Sequence, residues 1–133
     1  MSEKKSKLYK EEFDTIFDDK KSLRVRGALV ASAFVEGQIL LLAKFFLEEH
    51  GVNYEPKSHQ TYRQSLNILE TNKKLNSKEL KEIETFWKER NKAIHGIFKG
   101  MTRNEWEQQN NKVVKLGRPI IRNLDKKLYP EVN

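Results

Sequence analysis

Seven consecutive residues, Arg90-Asn91-Lys92-Ala93-Ile94-His95-Gly96, carry the side chains best suited to chemistry on a phosphate. Arginine presents a planar, permanently charged fork that matches phosphate oxygens. Histidine is the one side chain whose unperturbed pKa suits proton transfer near neutral pH. Asparagine adds a neutral donor and acceptor. On an ideal helix Asn91 and His95 are about 40° and one turn apart, so they are neighbours. Arg90 and His95 are about 140° apart, so Arg90 must reach round or work beside groups from another helix or subunit. A plainer reading is available for the same residues. Cations favour a helix C-terminus, where Arg90, Lys92 and His95 would complement the dipole and Gly96 would serve as the C-cap residue.

The surrounding charge favours a polyanion. The chain carries 26 basic and 19 acidic side chains, a net charge of +7. Residues 56–103 hold eleven basic and five acidic groups, whereas residues 1–22 are balanced and residues 23–55 carry a net −1. Lys88, Lys92, Lys99 and Arg103 flank the motif and are the candidate contacts to RNA phosphates. The same excess also fits a solvated, lysine-rich helical surface.

Arg90, four intervening residues and His95, with polar Asn91 directly after the arginine and Gly96 after the histidine, resemble the hallmark of the HEPN superfamily. Its members are small all-α bundles marked by Arg, four to six residues, then His. The resemblance implies a metal-independent endoribonuclease, of the kind found among toxins and phage-defence effectors. It further implies a homodimer in which two copies of the motif face one cleft. Arg90 would bind the scissile phosphate, His95 would move a proton, and Asn91 would orient either. The ribose 2′-OH would attack, leaving a 2′,3′-cyclic phosphate. Some relatives carry a tyrosine two residues after the histidine that a partner adenylylates. Here that position is Ile97, which departs from that form of control and leaves room for an antitoxin or regulatory protein of another kind. Arg26 to Glu36 is also similar to a helix of the mannitol operon repressor family, which implies the alternative of a catalytically silent binding module. A DNA-binding protein ranks last, because no short helix–turn–helix pair stands out.

Other residues have a weaker claim. Glu36 is the sole acid in the apolar centre of the second helix, and buried acids are paired or functional. The resemblance suggests that it supports Arg90; a structural ion pair is the alternative. Arg24 and Arg26 oppose the dipole at the start of that helix and are expected to bridge to acids within residues 11–19. His50 and His59 are nine residues apart with no cysteine or acidic pair in a ligand pattern, so neither a metal nor any other cofactor is expected. Trp87 and Trp106 read as core or interface anchors. No phosphate-binding glycine loop and no serine triad is present.

The elements that must position these groups are helical. Leu8, Phe13, Ile16 and Phe17 predict a first helix over about residues 7–19. Ser22 is expected to cap a second helix from Leu23 to about His50, roughly 40 Å long, stopped by Gly51. Its middle is apolar on nearly every side, as in a central helix or one at a subunit interface. Residues 51–58 read as a loop and 60–71 as a third helix. Ser77 and Glu79 open a fourth helix that Gly96 ends. Thr102 and Glu105 form a capping box for a fifth helix through about Leu128, which Pro119 should kink or divide. Residues 1–6 read as a flexible tail.

The fold expected is therefore all-α: an antiparallel, HEPN-like bundle of about five helices around a long central second helix, in one domain over 1–133. A length of 133 residues suits one domain. Gly and Pro together number nine, too few for a many-turned β-sandwich. Cysteine is absent, which excludes disulfides, thiolate zinc sites and cysteine nucleophiles. The first residues lack the apolar segment of a secretory signal, and Glu36, Gln38 and Lys44 interrupt the most apolar stretch. A cytoplasmic protein with no membrane contact is the expectation.

Overall fold

A computed structural model describes residues 5–52 and 61–131. These form α1 (Lys7–Ile16), α2 (Asp19–Ser22), α3 (Val25–Glu49), α4 (Tyr62–Thr71), α5 (Ser77–His95), a 3-10 turn (Gly96–Lys99) and α6 (Arg103–Leu128), with no strand among the described residues. The chain is an all-α helical bundle. The expected loop over 51–58 and residue His59 fall largely or wholly outside the described residues.

The helix starts follow local chemistry. Thr61, Asn76 and Thr102 each accept from the backbone N–H three residues on, and Gln64, Glu79 and Glu105 reciprocate. The cap of α5 is therefore Asn76, one residue before the expected Ser77. Replacing Thr102 by alanine should cost about 1 kcal/mol, read as a lower urea midpoint with an unchanged slope.

The first 25 residues depart from the helix expected over about residues 7–19 and from the cap expected at Ser22. α1 ends at Ile16, Asp18 caps the one-turn α2, and α3 begins after Arg24, which makes no side-chain cap. Ser22 does not cap α3. Its hydroxyl donates to the Asp18 carbonyl at 2.9 Å and accepts from the Arg118 guanidinium at 2.7 Å. Arg118 also donates to the Ile16 carbonyl at 2.9 Å and pairs with Asp19 at 2.6 Å. One side chain on α6 thus collects the carbonyl and hydroxyl groups that the break exposes. Lys5 and Ser6 do not belong to a loose tail: Ser6 caps α1 and Lys5 pairs with Asp125 at 3.2 Å. Residues 1–4 lie outside the described residues.

α3 is the centre of the bundle. Ala31, Val35, Ile39 and Ala43 are fully buried, and they meet Ile16, Leu69, Ile83, Phe86, Val113 and Ile121. α3 is long and apolar enough to cross a membrane by length and composition; here its buried face is the shared core of the other helices. α3 and α6 run parallel. Gly27 approaches Val114, Ala31 approaches Gly117, Gln38 bonds the Ile121 carbonyl, and Phe45 packs with Leu128. α1 and α5 run antiparallel to them, since Tyr9 reaches Asp125 while Ile16 reaches Arg118, and Ala93 meets Trp106 while Glu79 meets Asn123.

Pro119 does not divide α6. It stands on an exposed position, and the carbonyl it releases belongs to exposed Lys115, where water can bond it. A buried polar chain ties α1, α3 and α6 together. Gln38 donates to the Tyr9 hydroxyl at 2.9 Å and to the Ile121 carbonyl at 3.0 Å, and the Tyr9 hydroxyl donates to Asp125 at 2.8 Å. Burial, then the Asp125 carboxylate, pushes the Tyr9 phenol well above its ordinary range, so it remains a donor.

Candidate functional site

α5 presents the motif in its last two turns. The Arg90 guanidinium lies over the Trp87 ring, 4.8 Å from its centroid, one turn back on the same helix. Trp87 is fixed in turn by its neighbours. It stands edge-on to Phe86 and Tyr62, and its indole N–H donates to the Tyr62 hydroxyl. Arg90 is half-buried, and its Nη1 donates to Asn91 Oδ1 at 3.2 Å. Its Nε is buried with no partner. No carboxylate pairs with Arg90 among the described residues.

The other predicted residues are placed as follows. Asn91 and His95 are both exposed, and the His95 ring makes no hydrogen bond or ion pair among the described residues. Asn91 therefore contacts Arg90, not His95. Glu36 is exposed on α3, not buried in the helix centre as the sequence suggested, and it does not pair with Arg90. The apolar run around it does not reveal that this position on α3 is left exposed by the described helices. Glu36 is still on the same side of the bundle, because its charge acts on Tyr62. Burial raises the Tyr62 hydroxyl most, the Trp87 hydrogen bond lowers it, and Glu36 raises it again, to about 12. Tyr62 is thus a neutral phenol beneath the Trp87–Arg90 stack.

Of the flanking cations, Lys88 and Lys99 are exposed, Lys92 pairs with Glu89 at 3.0 Å, and Arg103 pairs loosely with Glu107 at 3.8 Å. Arg26 bridges to Glu12 at 3.3 Å, within the acidic stretch expected for it. Trp106 is an anchor, donating to the Ala93 carbonyl at 2.8 Å.

Gly96 is not a left-handed cap. Its backbone is right-handed, and the chain continues into the 3-10 turn until Gly100, at φ 79°, ends it. Gly96 is needed for close packing: a Cβ there would sit 2.6 Å from Met101 Sδ and 3.0 Å from Trp106 Cδ1. The turn that follows exposes Ile97 and Phe98, the latter 86% exposed, beside part-exposed Ile94.

Sequence reasoning missed Glu89, directly before Arg90. It is only 6% exposed, and its carboxylate takes Lys112 at 2.7 Å and Lys92 at 3.0 Å. Gln109 donates to its backbone carbonyl at 2.9 Å. The signal was present, because helical spacing sets Glu89 in the stripe of Ile83, Phe86 and Ala93. These contacts lock the turn that carries Arg90 onto α6. The hydrogen bonds from Lys112 and then Lys92 lower the Glu89 carboxyl from 4.5 to about 2. A depressed folded-state pKa contributes stability above pH 4.5 that is lost as pH falls toward about 2. Urea unfolding across that window should show this loss for the wild type and a flatter profile for Glu89→Gln.

No group of three or more His, Asp or Glu side chains suited to a metal occurs among the described residues. The chain matches no family model, and no curated protein or solved structure is detectably similar to it.

Proposed function

We propose that the protein is a metal-independent endoribonuclease of the HEPN type, acting in the cytoplasm as a homodimer. The observation that carries this reading is Arg90. Among the described residues it is held over Trp87 without a carboxylate partner, and His95, unengaged by any of them, stands exposed at the end of the same helix. A rigid guanidinium with no carboxylate partner among the described residues suits a phosphate, and an exposed imidazole at the same helix end suits proton transfer once a second copy brings the two groups to one cleft.

The chemistry asks for two proton transfers. The ribose 2′-oxygen forms a bond to phosphorus while the bond to the 5′-oxygen breaks, giving a 2′,3′-cyclic phosphate. One imidazole takes the 2′-OH proton, and the departing 5′-oxygen needs a proton from elsewhere. Arg90 stabilises the charge that develops on the phosphoryl oxygens. One protomer offers a single His95 within this motif, so a second copy facing it supplies the other proton carrier. Exposed Ile94, Ile97 and Phe98 beside the motif are the apolar contacts that would hold two copies together. Exposed Lys88 and Lys99 would receive flanking phosphates, and an antitoxin or other regulatory protein would cover the same surface.

The test is cleavage of labelled RNA by purified protein in excess EDTA, beside His95→Ala. Cyclic-phosphate ends from the wild type alone support the reading. RNA bound but uncut by both proteins favours the silent binding module.

A further inference from the structure

The outer face of α6 carries a second run of cations, apart from those that flank the motif. Lys112, Lys115, Arg122 and Lys126 are all exposed. At about 100° and 1.5 Å per residue they fall within a stripe about 80° wide and about 21 Å long. Between Gln108 and Leu128 the only acid in the sequence is Asp125. It is 2% exposed and already engaged by Lys5 and the Tyr9 hydroxyl. The stripe therefore meets solvent with no exposed acid from its own stretch of helix.

Most of these cations are uncommitted. Lys112 pairs with Glu89 at 2.7 Å, but Lys115, Arg122 and Lys126 have no ion pair among the described residues. Arg122 is held in place without one, its guanidinium 4.4 Å from the centroid of the Phe17 ring. Lys112 with Lys115, and Arg122 with Lys126, set like charges three and four residues apart. That spacing disfavours the helix, and a bound anion relieves it.

The borders of the stripe narrow the kind of anion. Asp19, paired with Arg118, stands on one side, and exposed Glu82 shares a cleft with Pro119 and Asn123 on the other. A broad anionic sheet would meet these acids, whereas a linear polyanion lying along the helix would pass between them. The stripe also begins at the motif, because Lys112 and Lys92 share Glu89, directly before Arg90.

We propose that this face of α6 is an RNA-binding ridge, which takes successive phosphates of a single strand whose other part lies at the motif. The proposal rests on RNA being the ligand of the motif, as read above, but not on the cleavage step.

Fluorescence anisotropy with a labelled 2′-O-methyl oligouridylate tests it, since that strand lacks the attacking hydroxyl and stays intact. Lys115→Gln/Lys126→Gln removes two ridge charges at positions that pack against nothing. Lys7→Gln/Lys73→Asn is the control, with the same loss of charge on α1 and at the α4–α5 turn; Lys73 has φ 57°, which asparagine tolerates. Two phosphate contacts fewer should lower the slope of log affinity against log salt by about 1.4. Between 50 and 200 mM salt the wild type should then lose about sevenfold more affinity than the ridge variant, and the control should follow the wild type. The proposal is overturned if the ridge variant keeps the wild-type slope, if the control lowers it equally, or if the wild type does not bind. It is also overturned if the ridge variant loses binding to phosphatidylserine vesicles while its RNA binding is unchanged, which would assign the stripe to a membrane. Cleavage of unmodified RNA is scored separately. A wild type that binds through the ridge and cuts nothing supports the ridge and overturns the ribonuclease reading. A wild type that cuts, beside a ridge variant with an unchanged slope, overturns the ridge alone.

Discussion

His95→Ala is expected to lower RNA cleavage by at least about 10²–10⁴-fold, the contribution of one general acid or base, since in the homodimer it removes both proton carriers, while leaving the protein folded. The ring is exposed and bonds to nothing among the described residues, so stability should stay within about 0.5 kcal/mol of wild type. Arg90→Ala should be comparably damaging, since loss of one charge-stabilising donor costs about 10²–10³-fold. Arg90→Lys should recover little, because a point charge lacks the fork and stacks poorly on Trp87. A mixture of the two inactive chains provides a sharper measurement. If the site is shared between copies, a mixed dimer retains one arginine and one histidine in the cleft, and partial activity returns. Mixtures as dead as their components would remove the shared site.

Gly27→Ala is expected to destabilise the fold by about 3 kcal/mol or more, at or beyond the upper end of overpacking costs. The added Cβ would sit 1.6 Å from the Ser22 carbonyl oxygen. That atom is backbone, so no rotamer change relieves the overlap. The α2–α3 junction would have to move, and Arg118 pins it through Ile16, Asp19 and Ser22. Gly37→Ala on the same helix should do the opposite. No atom lies within 4 Å of that Cβ, so the substitution should stabilise by up to about 1 kcal/mol through helix propensity alone. Thermal unfolding of the pair measures both signs. A wild-type midpoint for Gly27→Ala would show that the junction yields freely.

What the sequence reveals about the fold divides along physical lines. Thr102 with Glu105 announces the start of α6 because a capping box is local chemistry. The break after Ile16 was not legible, because its exposed groups are satisfied by Arg118, about a hundred positions along the chain. Glu36 was misplaced for a related reason. A helix apolar on nearly every side states that it is central, but not which of its faces lacks a neighbour. Arg90, Asn91 and His95 could be singled out by type and spacing. The floor of the site could not, since Trp87 acquires its orientation from Tyr62 on another helix. Glu89 could have been found, by noticing an acid inside the apolar stripe of α5.

The parallel pairing of α3 and α6 has a consequence for how the protein is made. α3 is complete at Glu49, and the helix that covers much of its apolar side is not complete until Leu128. At ordinary translation rates the ribosome takes roughly 4–16 s to cross that interval. During that time the most hydrophobic segment of the chain waits for its mate, shielded at most by α1, α4 and α5. Nascent chains stalled before α6 should therefore be captured by holdase chaperones, and release should coincide with emergence of the last helix from the exit tunnel.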